Sequence, residues 1–244
     1  MPHAETPEAL VRFGAEAAAM GDHGILVTGG CDPLGRLPWP RFITALRRLK
    51  DKTDLRITVH AGQVDLSTAR ALKDAGVDQA LVDVIGDDVT ARDVYHLDQG
   101  VVTIRRSLDA LSTVGLEIVP HVLFGLYYGQ ERGETDTLQI LKGYPLTQYV
   151  VVVIMPAKGT PMADVLPPEP ERVARFLARA RFQLPNLKAS LGCARPRGRY
   201  RRELDVLAVS AGVNALALLS DRALMEAERR GLDIEFRETC CSLG

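Results

Sequence analysis

No apolar run in the 244-residue chain approaches the roughly 18 residues that a membrane-spanning helix needs. The first residues also lack the basic-then-apolar pattern of a secretory leader. Neither sign of charge is in excess: the formal net charge is −1, and the basic residues are scattered except between 195 and 202. Non-specific binding to nucleic acid is therefore not expected to be the main task. Cysteine is scarce. The four cysteines, Cys31, Cys193, Cys240 and Cys241, include no Cys-x-x-Cys pair, and a chain of this length and style has no need of a disulfide framework. No repeat, low-complexity segment or linker divides the sequence. The expectation is one cytoplasmic domain over residues 1–244, with 232–244 a C-terminal extension carrying Cys240 and Cys241.

What is present is alternation. Hydrophobic content of 46% supplies an ample core. Thr6 caps a helix that opens with Pro7 and runs to about residue 20. A short buried strand, 24–28, follows. Helical stretches are then expected at 38–50, 66–74, 88–114, 134–141, 170–181, 202–210 and 221–230. Between them lie strands at 55–59, 79–84, 116–123, 149–154, 188–191 and 214–218, and a last extended piece at 232–236. The strands are apolar runs with no polar alternation, the mark of a parallel sheet buried on both faces by helical crossovers. Seven strands are one short of a (β/α)8 barrel, so the fold expected is α/β, a TIM-barrel-like architecture whose first βα unit is missing. No Gly-x-Gly-x-x-Gly follows a strand to favour an open dinucleotide-binding sheet instead.

In a parallel barrel the strand carboxyl ends share one face, and chemistry collects there. That rule selects Gly29, Gly30, Cys31 and Asp32 after the first strand, then His60 and Gln63, then Asp83 and Asp87. It continues with Gly125, with Met155, Gly159, Thr160 and Met162, with Cys193 and Arg195, and with Ser220. Two adjacent glycines let bare backbone approach a ligand. His60 is either a hydrogen-bonded structural imidazole or a ligand group. Asp87 or Asp88 has a helix-cap role ready to hand, whereas Asp83 lies inside its strand. Arg195 and Arg197, beside prolines and glycines, suit a carboxylate or phosphate fork on a small-molecule substrate, or else a solvated loop. Thiolates converging on one site would hold an iron–sulfur cluster or zinc; otherwise the four cysteines are inert or redox thiols. His121, mid-strand after a proline, belongs to the core.

Four stretches carry a family likeness. They are Thr28-Gly29-Gly30-Cys31-Asp32; His60-Ala-Gly-Gln-Val-Asp65 with Ala75-Gly76-Val77-Asp78 and Asp83-Val-Ile-Gly-Asp87; Val119-Pro-His-Val-Leu-Phe-Gly125; and Met155-Pro-Ala-Lys-Gly159-Thr160-Pro161-Met162. In order and spacing the chain resembles radical S-adenosylmethionine (SAM) proteins of the biotin-synthase-like group. The resemblance implies SAM bound by Gly29, Gly30, Asp32, His60, Asp83, Gly125, Met155, Gly159 and Thr160. It implies a [4Fe–4S] cluster that donates an electron to SAM, giving methionine and a 5′-deoxyadenosyl radical that takes hydrogen from a substrate. Cys31, Cys193, Cys240 and Cys241 are then candidates for an auxiliary cluster able to give up sulfur.

One departure outweighs the agreement: the family's Cys-x-x-x-Cys-x-x-Cys cluster loop is absent from these residues. It belongs just after the first strand, the same place where the strand count falls short. Either the sequence is truncated at its start, or the gene lacks the loop. The first reading is a radical SAM enzyme acting on a small molecule, with sulfur insertion among its reactions. The second is a degenerate SAM-binding barrel serving as partner subunit or homo-oligomer, because an incomplete barrel exposes sheet edges. A lyase or aldolase barrel would want a lysine at the site, and only Lys158 stands at a strand end.

Overall fold

Alternating helix-forming and strand-forming segments become seven strands and nine helices in the computed structural model, which describes residues 3–237. The strands follow one another in sheet order β1 to β7, and every described pairing is parallel. The expected fold class is the one observed. The chain forms two compact units: residues up to 82 together with 102–119, and residues 83–101 together with those from 120 onward.

The first unit begins with α1 (Pro7–Ala19), whose N–H of Ala9 is accepted by the hydroxyl of Thr6, the expected cap. It continues through β1 (Gly24–Val27), α2 (Trp39–Lys52), β2 (Arg56–His60) and α3 (Leu66–Asp74) into β3 (Gln79–Val84). Helix α5 (Val101–Thr113) belongs to it as well. Helices α1 and α2 pack closely because Gly14 lets Leu49 approach without a Cβ between them. Apolar β-branched residues place β2 in the core, where Ile57 and Val59 are fully buried. Lys50 clamps the unit: its ammonium donates to both carboxylate oxygens of Asp78 at 2.8 and 3.0 Å, and Asp78 in turn accepts the N–H of Ile57.

Strand β1 departs from expectation. It was read as buried, yet all four of its residues are half-exposed, since it begins the strand order and is paired with β2 alone among the described residues.

The second unit contains the short helix α4 (Asp88–Asp93) and most of β4 (Glu117–Phe124). It then runs through α6 (Glu134–Leu141), β5 (Gln148–Val153), α7 (Pro170–Gln183), β6 (Lys188–Leu191), α8 (Arg199–Ser210), β7 (Ala215–Leu216) and α9 (Asp221–Arg229). The run Tyr149-Val-Val-Val-Val153 fills the middle of its sheet and pairs with β4 on one side and β6 on the other. Strand β7 holds only two residues where five were expected. The Asn214 side chain accepts from Ala189 N–H at its start, and Leu218 takes φ +51° beyond its end. Residues 232–236 form no strand. Helix α8 starts three residues earlier than expected, behind Gly198 at φ +70°.

Candidate functional site

In the first unit the site residues are held by loop geometry after β1 and β2. Asp32 builds its own turn: Oδ1 accepts the N–H groups of Leu34 and Arg36, each at 2.9 Å. Arg36 bridges to Gly62, and Gly35 O accepts the N–H of Gln63 at 2.8 Å, so the two loops are stitched together. The indole of Trp39 donates to Ala61 O at 2.8 Å beneath them. Gln63 is buried, and its Oε1 accepts from Ser107, whose hydroxyl also accepts the N–H of Val64. Gln63 is thereby a structural residue. His60 ends β2 half-buried, in register with Leu81.

Gly29 and Gly30 stand apart from the other glycines of this unit. Neither has a left-handed backbone. A Cβ at Gly30 would meet nothing within 4 Å, and one at Gly29 only Leu37 Cδ2 at 3.9 Å. Neither chain conformation nor crowding calls for glycine there. What two missing side chains do provide is exposed, bare backbone next to the Cys31 thiol, which is itself exposed.

In the second unit, the ends of β3 and β4 carry a tight polar group. Asp83 Oδ2 accepts the hydroxyl of Tyr95 at 2.6 Å. Asp87 caps α4, as foreseen, by accepting Thr90 N–H and hydroxyl at 2.8 Å each, and it also receives Arg132 Nε at 2.7 Å. Burial would raise the Asp87 carboxyl, but the Thr90 N–H and the Arg132 guanidinium outweigh it and hold the group below the usual range. Glu134 behaves in the opposite way. It is 4% exposed; Oε1 accepts Gly125 N–H at 2.8 Å, while Oε2 is buried with no hydrogen-bond partner. Desolvation dominates and pushes its carboxyl up. Glu134 borders a small pocket of about 10 Å³ lined by Ile85, Leu123 and Leu126, among others.

Gly125 sits at φ +75° where a Cβ would overlap Pro168, so both conformation and packing require glycine. The loop after β5 leaves Met155 exposed. It turns at Gly159 with φ +79°, and Thr160 builds the bend, its hydroxyl donating to Ala157 O at 2.7 Å. Met162 lies half-buried there, and Lys158 is exposed.

Beyond β6, Cys193 is exposed. Arg195 requires a correction. Expected as a fork for substrate, it is 1% exposed, with Nε on Asp205 Oδ1 at 2.8 Å, Nη2 on Ala217 O at 2.8 Å and Nη1 on Gly192 O. A guanidinium sealed in this way holds the end of β6 to α8 and has no face left for a dissolved ligand. Arg197 is exposed. Ser220 precedes α9, and its N–H donates to Asp205 Oδ2 at 2.9 Å. Cys240 and Cys241 lie outside the described residues.

Sequence reasoning missed Glu134, Tyr95 and Asp205. Glu134 is one of two acids in the first turn of α6, a place that gives no sign of burial. Asp205 carried a signal: a carboxylate between Leu204 and Ala208, on the buried face of α8.

No family model matches the chain. It is 29% identical over 217 residues to a biotin synthase of Desulforudis audaxviator, covering 86% of this chain. The chain spans 62% of that relative's length, and 55% and 58% of two further biotin synthases. Among solved structures, HydG, a maturase of the [FeFe]-hydrogenase, matches with a TM-score of 0.68 over 86% of this chain and 49% of its own, at 17% identity. Methylornithine synthase (PylB) matches with a TM-score of 0.63 over 94% of this chain and 73% of its own, at 15% identity. Among the described residues, no helix is long and apolar enough to cross a membrane. Sequence likeness to biotin synthases, and a fold shared with HydG and PylB, support the resemblance to radical SAM proteins of the biotin-synthase-like group.

Proposed function

We propose that the chain binds SAM on the loop after β1 and forms part of a radical SAM enzyme acting on a small molecule. The observation that carries this reading is the unexplained glycine pair. Gly29 and Gly30 offer backbone groups with open space where side chains would stand, in a chain 29% identical to a biotin synthase over most of its length. A ligand bearing an amino acid moiety fits such a surface: its carboxylate takes backbone N–H groups and its ammonium takes carbonyl oxygens or the Asp32 carboxylate. Asp32 retains acceptor capacity for this, because its loop-building bonds fall on Oδ1.

His60, Asp83, Gly125, Met155, Gly159 and Thr160 complete the proposed binding set. Their parts differ. Gly125 shapes the chain at the end of β4, where its N–H is held by Glu134. Gly159 and Thr160 shape the loop after β5, and Met155 offers an exposed thioether.

A [4Fe–4S] cluster supplies the electron that cleaves SAM in this class of chemistry. These 244 residues contain no Cys-x-x-x-Cys-x-x-Cys to hold it. Cys31 and Cys193, both exposed, and Cys240 and Cys241 remain proposed ligands of an auxiliary cluster, and sulfur insertion is the reaction that cluster would serve. The half-exposed strand β1, paired with β2 alone among the described residues, favours a second reading, in which the chain binds SAM as the non-catalytic partner of a complete enzyme.

Calorimetric titration with SAM, followed by assay for 5′-deoxyadenosine under anaerobic reducing conditions, tests these readings. Saturable binding supports the SAM site that both share, and product formation in addition supports the enzyme and overturns the partner. No saturable binding overturns both.

A further inference from the structure

We propose that Asp83 and His121 supply two ligands to a mononuclear site for a divalent transition metal that needs no thiolate. The two residues lie on β3 and β4, and a carboxylate oxygen of Asp83 and an imidazole nitrogen of His121 are within 4.8 Å of one another. Bonds of about 2.0–2.2 Å to a shared metal place two such atoms roughly 3–4 Å apart. Side-chain adjustment alone closes that difference.

The surroundings favour a cation. His121 is 6% exposed, between buried apolar residues of its strand such as Val119, Val122 and Phe124. Asp83 is half-buried, and among the described residues its carboxylate forms no ion pair with lysine or arginine. Its recorded partner is the neutral hydroxyl of Tyr95, on Oδ2 at 2.6 Å. A carboxylate partly withdrawn from water, with a neutral hydroxyl as its hydrogen-bond partner and no lysine or arginine paired to it, gains from a positive charge within reach. The hydroxyl also fixes the carboxylate's orientation, the supporting role that outer groups play around metal ligands.

The donor set narrows the metal. One imidazole and one carboxylate suit zinc, iron(II), cobalt(II) or nickel(II) better than the all-oxygen preference of magnesium or calcium. Structural zinc sites are filled by four protein ligands, whereas catalytic sites keep positions open. Two protein donors leave the remaining coordination positions to water or substrate, and a metal held there would polarise a substrate oxygen or a bound water.

Cobalt(II) titration of the metal-stripped full chain, with its thiols alkylated by iodoacetamide, tests this. Visible d–d absorption and metal analysis report binding, and far-ultraviolet dichroism reports folding. One equivalent is expected on the wild type. Asp83→Asn and His121→Gln are each expected to weaken it at least 100-fold. Tyr95→Phe, which leaves both ligands in place, is expected to weaken it about 10-fold. Failure of the wild type to bind cobalt saturably would overturn the site, as would binding that both ligand variants leave unchanged. If either ligand variant does not fold, the Tyr95→Phe result decides. The readout needs neither iron–sulfur cluster nor SAM, so its failure leaves the SAM reading standing.

Discussion

Arg195 and Asp205 meet at 2.8 Å with both side chains wholly shut off from solvent. The pair ties four pieces of the second unit together. Arg195 reaches the carbonyls of Gly192 and Ala217, and Asp205 accepts the N–H of Ser220 at 2.9 Å, ahead of α9. A buried charge left without its partner is costly, whereas a matched apolar pair of similar volume need not be. Asp205→Ala is therefore expected to lower the unfolding free energy by about 3–5 kcal/mol. Arg195→Met combined with Asp205→Leu should restore most of that loss. Urea denaturation of the two proteins checks it. A substrate-binding Arg195 would instead show a small change in stability on Arg195→Met.

The Glu134 carboxyl gives stability a pH dependence of predictable sign. Its folded pKa is raised, chiefly by desolvation, with Glu131 adding to the rise and the N–H of Gly125 opposing it. The folded state then holds a proton that the unfolded state releases first, so stability falls as pH climbs from the ordinary carboxylate range through the raised value. Glu134→Gln keeps an oxygen acceptor for Gly125 and removes the charge. In that variant the decline should vanish between these limits. Glu134→Ala leaves the Gly125 N–H unpaired and should cost about 1–3 kcal/mol at every pH. Thermal melts across mildly acidic to neutral buffers distinguish the three proteins. Asp87 opposes this trend only at lower pH: its folded pKa is depressed, so its contribution is present above the ordinary value and lost as pH falls through the depressed one.

How much of this was legible in the sequence depended on the range of the interactions involved. The run 149–153 announces a buried strand through composition alone, and Thr6 and Asp87 announce helix caps through residues three positions away. Buried partners from distant segments leave weaker traces. Arg195 stands beside prolines, glycine and other arginines, so it reads as a solvent-facing fork. Its actual partner, Asp205, is ten residues on, and Ala217 lies on another element. The exposure of β1 was equally invisible, because its four residues are as apolar as those of a central strand and only the pairing decides how much they bury. Asp83 stands out in the sequence as an acid inside an apolar strand, but its hydroxyl partner, Tyr95, twelve residues on, leaves no trace there.

Gly30 and Gly125 should separate binding from folding. A Cβ at Gly30 meets nothing within 4 Å, so Gly30→Val is expected to change stability by no more than about 0.5 kcal/mol. The same isopropyl group would occupy the space proposed for SAM, and affinity should drop at least ten-fold. Gly125→Ala should do the reverse in origin: a left-handed residue at φ +75° and an overlap with Pro168 both strain the folded chain, at a cost of about 1–3 kcal/mol or more. Any loss of SAM binding there would follow the loss of native protein and recover at lower temperature, whereas the Gly30→Val loss would persist in fully folded protein. Parallel SAM titrations and melting curves read both quantities. If Gly30→Val binds SAM as the wild type does, the loop after β1 is not the cradle, and the glycine pair needs another explanation.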